Sequence, residues 1–235
     1  MKYEALEWDS DFFGFPVARL VDEGVESFEE ALRSADANGI RCLYFLCSAS
    51  DPSRLQQAID AGFRPYDVRV ELSVDLEQTL PGAVNVRGAE PGDALALEAM
   101  AAERMRDTRF WADPRFPRDR VRDLYIAWVR RGMSTAPLRR TLVIGDREGF
   151  ITCRFERERG TGVIELIAVA TGKEGLGYGD ALVRSGAKAF LESGLTRAGV
   201  VTQASNVSAQ RLYQRNGFRT ARTDFWLHRW VEPGL

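Results

Sequence analysis

The stretch Gly172-Lys173-Glu174-Gly175-Leu176-Gly177-Tyr178-Gly179 sets glycines at alternate positions between an apolar run and a helical pattern. Glycine has no Cβ to hold an anion away from the backbone, and the first amides of a helix have no partners inside it. Consecutive N–H groups can then converge on one diphosphate at the positive end of the helix dipole. Downstream stand Asn206, small and polar after a second strand pattern, and Tyr213, seven residues further on. An asparagine in that place can cap the next helix or hold an extended ligand. A phenol with its ordinary pKa of about 10 keeps its proton near neutral pH and can act as an acid.

These residues need elements to position them. Val163 to Ala170 has the length and β-branched content of a buried strand, and Ala181, Leu182, Val183, Ala187, Phe190 and Leu191 recur at helical spacing after the loop. Ala198 to Gln203 reads as a strand, and Thr223 to Trp230 as another. Earlier, Asp93 is placed to cap a helix through Met100 and Ala101, Pro117 or Asp119 opens a second through Val129, and Thr141–Gly145 with Gly149–Glu156 makes a hairpin. A dinucleotide fingerprint would place an acidic residue at the end of the next strand, and a P-loop would follow its last glycine with Lys and Ser or Thr. This chain does neither.

Over roughly its last ninety residues the chain resembles the GNAT acetyltransferases, on Glu174, Gly177 and Gly179 of the loop, Asn206 after its strand, and Leu212-Tyr213 with Gly217-Phe218 at the final helix and its exit. Glu174 departs from the family pattern, which has Arg or Gln there, and its charge is expected to lower affinity for a diphosphate. The runs Thr108 to Phe116, Tyr125 to Trp128 and Leu6 to Gly14 resemble the TDP-fucosamine acetyltransferases. The resemblance implies an α+β fold, an α/β/α sandwich around a central mixed sheet. It also implies acetyl-CoA as cofactor, bound by Ile167, Ala168, Val169, Glu174, Gly175, Leu176, Gly177, Tyr178, Gly179 and Asn206. Tyr213 would act as general acid, with Asn206 beside it, and a backbone amide near Ile167 to Val169 would face the oxyanion. Arg109, Phe110, Trp111 and Tyr125 would meet the acceptor, the amino group of a nucleotide-linked 4-amino-4,6-dideoxy sugar. Another amine (an antibiotic aminosugar, a polyamine or a protein N-terminus) and a non-catalytic acetyl-CoA-binding module remain open. So do core packing for the aromatics, a solvated face for Arg109, and Glu165 or a water chain as base.

Composition narrows the partners. A net charge of −2 over 235 residues, with arginines scattered among carboxylates, offers no basic face for nucleic acid. No run approaches the ~18 consecutive apolar residues of a membrane span, and the N-terminus lacks a signal-peptide core, so a cytoplasmic protein with no membrane partner is expected. Cys42, Cys47 and Cys153 read as structural thiols, and His228 alone leaves no metal site to build. His228 is also the one candidate for a His-activated nucleophile's base.

The segment from Gly39 through Asp51 to Gly62-Phe63-Arg64 matches Gly194 through Asn206 to Gly217-Phe218-Arg219 without gaps, with Ala58 where the second copy has Tyr213. Residues 1–80 are therefore expected to form a degenerate half-GNAT domain without an alternate-glycine loop, its nearest helix being Glu26 to Ala37. Residues 81–235 are expected to form the catalytic domain, beginning with a strand at Ala83 to Arg87. A homodimer contact in the first half is left open.

Overall fold

A computed structural model of the chain describes residues 3–21, 28–76, 85–134 and 138–231. In chain order the elements are β1 (Tyr3–Ala5), α1 (Glu7–Phe13), β2 (Val17–Leu20), α2 (Phe28–Ala37), β3 (Cys42–Ser48), α3 (Pro52–Asp60), β4 (Arg64–Asp75), β5 (Val86–Gly88), α4 (Ala94–Arg104) and α5 (Arg109–Ala112). They continue as α6 (Arg118–Met133), β6 (Arg139–Ile144), β7 (Gly149–Glu156), β8 (Thr161–Val169), α7 (Tyr178–Glu192), β9 (Arg197–Gln203), α8 (Val207–Arg215) and β10 (Arg219–Trp230).

The chain divides into two compact units, neither of them contiguous in sequence. The first is Met1–Arg69, Asp107–Arg120 and Thr223–Leu235; the second is Val70–Arg106 and Val121–Arg222. The expected boundary at 80/81 and the start of the expected strand at Ala83 lie outside the described residues, as do the first two residues of the expected helix at Glu26.

In the first unit β1 pairs antiparallel with β2, β2 parallel with β3, and β3 antiparallel with β10. Side-chain alternation sorts the two faces. Leu43, Phe45, Cys47 and Leu227 pack with Ala31, Leu32 and Ala35 of α2 and with Ala58 and Phe63. Register places Tyr44 opposite His228 and Cys42 opposite Trp230, so these side chains share the other face. There the segment after α5 adds an aromatic layer, with Phe116 5.6 Å from the His228 ring and 5.1 Å from Trp230, and Phe110 5.2 Å from Phe116.

In the second unit β5, β6, β7 and β8 form an antiparallel run, and β8 pairs parallel with β9. The expected hairpin turns at Gly145 and Arg147, both with positive φ. One apolar face of α7 (Leu182, Val183, Ala187 and Phe190) is buried against Ile151, Ile164, Ala198 and Val200 of the sheet and against Tyr213 and Phe218. The carboxylate of Asp93 does not cap α4. It accepts the Glu90 N–H at 2.9 Å and pairs with Arg87 at 2.7 Å and Arg147 at 2.9 Å, because a buried anion is costly unless charged donors surround it. The α4 start relies instead on a 3₁₀ turn, Pro91–Asp93.

The internal match extends to the elements themselves. Cys42 and Arg197, Pro52 and Val207, and Arg64 and Arg219, which open β3/β9, α3/α8 and β4/β10, are each 155 positions apart, and the closing residues keep the same spacing. Asp51 accepts the Arg54 N–H and Asn206 accepts the Ala209 N–H, each a side chain capping its helix three residues on. Gly62 and Gly217 leave their helices at φ 87° and 86°, a conformation that glycine adopts without steric penalty.

Gly162 of β8 faces the fully buried ring of Phe190, and a Cβ at that position would stand 2.2 Å from the ring. Gly162→Ala is therefore expected to destabilise the protein by about 1–3 kcal/mol through overpacking. A lowered denaturation midpoint with an unchanged m-value would register that effect.

Candidate active site

The glycine loop joins β8 to α7, and its geometry follows from its glycines. Gly172, Gly175 and Gly177 hold φ of 80°, 76° and 80°, the left-handed region in which any Cβ is strained. Gly177 is the N-cap of the 15-residue α7, and no side chain caps that end. The first amides of α7 thus remain donors without a side-chain acceptor, which is the feature a diphosphate would use. Leu176 is exposed and the loop is open to solvent. Gly179 permits close approach of α8, since a Cβ there would lie 3.1 Å from Leu212.

Glu174 behaves differently from a bare repelling charge. Its carboxylate accepts the Gly172 N–H at 2.8 Å and pairs with Arg104, at the end of α4, at 2.8 Å. Hydrogen bonds from the loop's own amides, with Arg104 beside them, hold its pKa below the ordinary value. The arginine that the loop lacks at position 174 is thus brought in from another helix. Lys173 and Tyr178 both turn to Glu148: Lys173 Nζ pairs with it at 2.6 Å, and its hydrogen bond holds the Tyr178 phenol proton more tightly.

Strand pairing beyond the loop is incomplete. The β8–β9 ladder runs from Thr161↔Arg197 to Ile164↔Val200, while β8 continues to Val169 along β7 alone. The pairing with β7 shifts register between Thr152 and Cys153, so Glu165 has no ladder partner. Ile167, Ala168 and Val169 therefore lie on a stretch of β8 whose β9 side carries no ladder bonds. Glu165 does share a face with Ile167 and Val169, but Arg139 at 3.0 Å and Arg154 at 2.8 Å hold it in a paired state.

Asn206 has the capping geometry expected of it, and Ser208 Oγ also donates to its Oδ1 at 3.0 Å. Tyr213 is buried on the inner face of α8, 5.8 Å from the Phe218 ring, and burial pushes its phenol pKa well up. Of the four expected acceptor contacts, Phe110 is buried in the aromatic layer of the first unit, and Tyr125 is buried in the second unit with its ring 5.5 Å from Trp128. Trp111 is half-buried beneath the Arg118 guanidinium, whose Nη1 donates to the Trp111 carbonyl.

Arg109 leads to a group that the sequence did not reveal as one. Its Nη1 donates to His228 Nε2 at 2.9 Å, which makes that nitrogen an acceptor and leaves the ring proton on Nδ1. Nδ1–H donates to Asp113 Oδ2 at 2.8 Å, and Trp230 Nε1–H donates to the same oxygen at 2.8 Å. The Arg115 N–H takes the other carboxylate oxygen at 3.1 Å. Burial is the main cause that lowers the His228 pKa, to about 4, while the hydrogen bonds outweigh burial at Asp113 and lower its pKa. Asp113 and His228 lie 115 positions apart in the sequence, so no local pattern could have paired them.

The His228 shift has a pH consequence. Between its unfolded value near 6.5 and its folded value near 4 the unfolded chain binds more protons, so stability falls as pH drops through that window. The Asp113 contribution is lost only below the ordinary carboxylate value. Thermal unfolding of His228→Gln should show a shallower fall in Tm between pH 6.5 and 4 than the parent protein; equal slopes would contradict the buried neutral imidazole.

The architecture agrees with known proteins. A GCN5-related N-acetyltransferase from Sphaerobacter thermophilus shares the fold at a TM-score of 0.66 and 16% identity, over 99% of this chain and 77% of that one. A tandem GNAT protein from the clavulanic acid biosynthesis pathway aligns at a TM-score of 0.60 and 14% identity, over 94% of this chain and 77% of that one. Such a neighbour accords with a GNAT fold preceded by a degenerate half. Among curated proteins, the spore coat polysaccharide biosynthesis protein SpsD of Bacillus subtilis (strain 168) is 26% identical over 151 residues, 62% of this chain. The chain spans half the length of that relative. The family model for the acetyltransferase (GNAT) family matches residues 97–218, just over half of the chain and the whole of the glycine loop, Asn206 and Tyr213. The chain belongs to the acetyltransferase (GNAT) family.

Proposed function

We propose that the protein is an acetyl-CoA-dependent N-acetyltransferase acting on the amino group of a nucleotide-linked 4-amino-4,6-dideoxy sugar. The observation that carries the cofactor half of this reading is the uncapped N-terminus of α7 beside a β8 edge without β9 ladder bonds. The acceptor half is supported by similarity to a protein named for polysaccharide biosynthesis. The resemblance of Thr108 to Phe116 to TDP-fucosamine acetyltransferases supports it as well.

When bound, acetyl-CoA would supply an activated acyl group as a thioester. The α7 amides and the Gly172 to Gly179 loop would bind its diphosphate, with the Arg104 guanidinium adding positive charge. Backbone groups of Ile167 to Val169 would bind the pantetheine arm, and an N–H in that stretch would face the oxyanion of the tetrahedral intermediate. Tyr213 would hold a proton at its hydroxyl for the departing sulfur, and its burial keeps that proton in place across the working pH range. Asn206 would hold α8, and with it Tyr213, in register with the end of β9.

Incubation with acetyl-CoA and dTDP-4-amino-4,6-dideoxygalactose or its gluco epimer should give a product one acetyl group heavier by mass spectrometry. No product from any nucleotide sugar would remove the acceptor assignment. Tyr213→Phe should lower kcat by about a hundredfold or more while CoA affinity is kept; unchanged turnover would remove Tyr213 as the acid. Arg104→Ala should weaken CoA binding by about threefold to tenfold and leave binding of S-acetylpantetheine unchanged, since the lost contact is to the diphosphate. Equal losses for both ligands would assign Arg104 a purely structural role.

A further inference from the structure

The second face of the first unit's sheet contains a guanidinium that is fixed in place and incompletely used. Arg109 lies over the rings of Tyr44, Phe110 and Trp226 at 4.0, 4.1 and 4.2 Å. Among the described residues it makes a single hydrogen bond, to His228, and no ion pair. A guanidinium has five N–H donors, so most of them have no protein acceptor. Asp113 does not neutralise Arg109 directly, because the imidazole stands between them and the carboxylate is already satisfied by three N–H groups. Asp9 on α1 is an acid whose field reaches Arg109, and burial raises its carboxyl above the ordinary value.

The Tyr44 hydroxyl is the second, independent observation. Tyr44 is fully buried beside Arg109, and its hydroxyl has no hydrogen-bond partner. A buried hydroxyl left unpaired costs about 1–3 kcal/mol, and phenylalanine would fill the same space without that cost. Tyrosine at this position is therefore a liability for folding alone and an asset where a ligand supplies the missing partner. Only the half-buried Arg109 and Trp226 side chains among these neighbours retain access to solvent.

We propose that Arg109 and the Tyr44 hydroxyl form a phosphate-binding site, with Asp113 and His228 as the residues that position the guanidinium. The ligand is a phosphate or diphosphate ester, and the site rests on the reading above in that the acceptor's nucleotide would supply that group. Arg109 provides a planar, charged fork for the phosphate oxygens. Tyr44 donates its hydroxyl proton to one of them. His228, neutral and with its proton on Nδ1, fixes one edge of the guanidinium through Nε2 and leaves the other edge to the ligand.

The test uses the full-length protein saturated with CoA, so that the glycine loop is already filled, and titrates it with inorganic phosphate, pyrophosphate and dTDP by calorimetry. The parent protein should bind pyrophosphate and dTDP, with Trp226 fluorescence changing in step and that change lost in Trp226→Phe. Tyr44→Phe should weaken dTDP binding about tenfold while its Tm stays level or rises. His228→Gln, which keeps a donor and an acceptor, should bind better than His228→Leu. Inorganic phosphate binding as tightly as dTDP would place free phosphate, rather than a nucleotide ester, at the same site. Absence of any binding by the parent, unchanged dTDP affinity in Tyr44→Phe, or a Tm lowered by that substitution would each overturn the proposal. Binding that responds to Tyr44 and Arg109 in a protein that acetylates no nucleotide sugar would sustain the site and remove only the acceptor assignment. Acetylation of a nucleotide sugar with dTDP affinity indifferent to Tyr44 would do the reverse.

Discussion

A sheet interior satisfies nearly all its backbone groups, and the point where this one stops doing so organises the second unit. Beyond Ile164 and Val200 the β8–β9 ladder ends, although β8 runs on for five more residues to Val169. Unpaired peptide groups are costly in a buried setting, so such a gap persists only where neighbouring structure enforces it. Three features do so here. The register shift opposite Glu165 turns β8, α7 is fixed over the sheet by Leu182, Val183 and Phe190, and Gly162 lets the Phe190 ring sit directly on the strand. The glycine loop then follows at the end of the same strand, and its unpaired amides extend the line of backbone donors.

Several carboxylates of the second unit are held by arginines. Asp93 is enclosed by Arg87 and Arg147, Glu98 by a two-point contact from Arg130, Glu165 by Arg139 and Arg154, and Glu174 by Arg104 and the loop amides. The abundance of arginine among acids is in this way a network with specific geometry. Exposed pairs such as Arg104–Glu174 are worth little in stability. Their effect is on the local charge that an incoming anion meets.

The two β-α-β runs separated by 155 positions show what a common framework can and cannot carry. Both keep the acidic or amide cap that starts the helix, the left-handed glycine that ends it and the aromatic residue that follows, all of them local features of one helix and its exit into a long strand. They differ at Ala58 and Tyr213, the same place on α3 and α8. In the first unit the small alanine lets the helix lie against Phe28, Phe45 and Phe63, whereas the second unit places a phenol there. On the opposite face of the first unit's sheet, Tyr44, His228 and Trp230 meet the segment around Asp113.

Local chemistry was legible in the sequence. The alternate glycines, the Asn206 cap, the hairpin at Asp146-Arg147 and the strand and helix periodicities all depend on residues within a few positions of one another, and the bounds expected for β7 and β9 fall within a residue of those observed. The pairings of two carboxylates were not legible in the same way. Glu174 read as an isolated repulsive carboxylate, because Arg104 reaches it from a helix seventy residues earlier. Asp93 read as a helix cap, because its partners Arg87 and Arg147 come from β5 and a distant turn. His228 read as a lone strand histidine, since register with Tyr44 and the approach of Asp113 exist only after β3 and β10 pair. Sequence alone thus determined the elements and the left-handed glycine turn that opens α7, which periodicity and glycine stereochemistry impose locally. Tertiary structure alone decided which charges neutralise each other and which polar groups, the Tyr44 hydroxyl among them, are left without a partner among the described residues, because those depend on contacts between segments that no spacing rule connects.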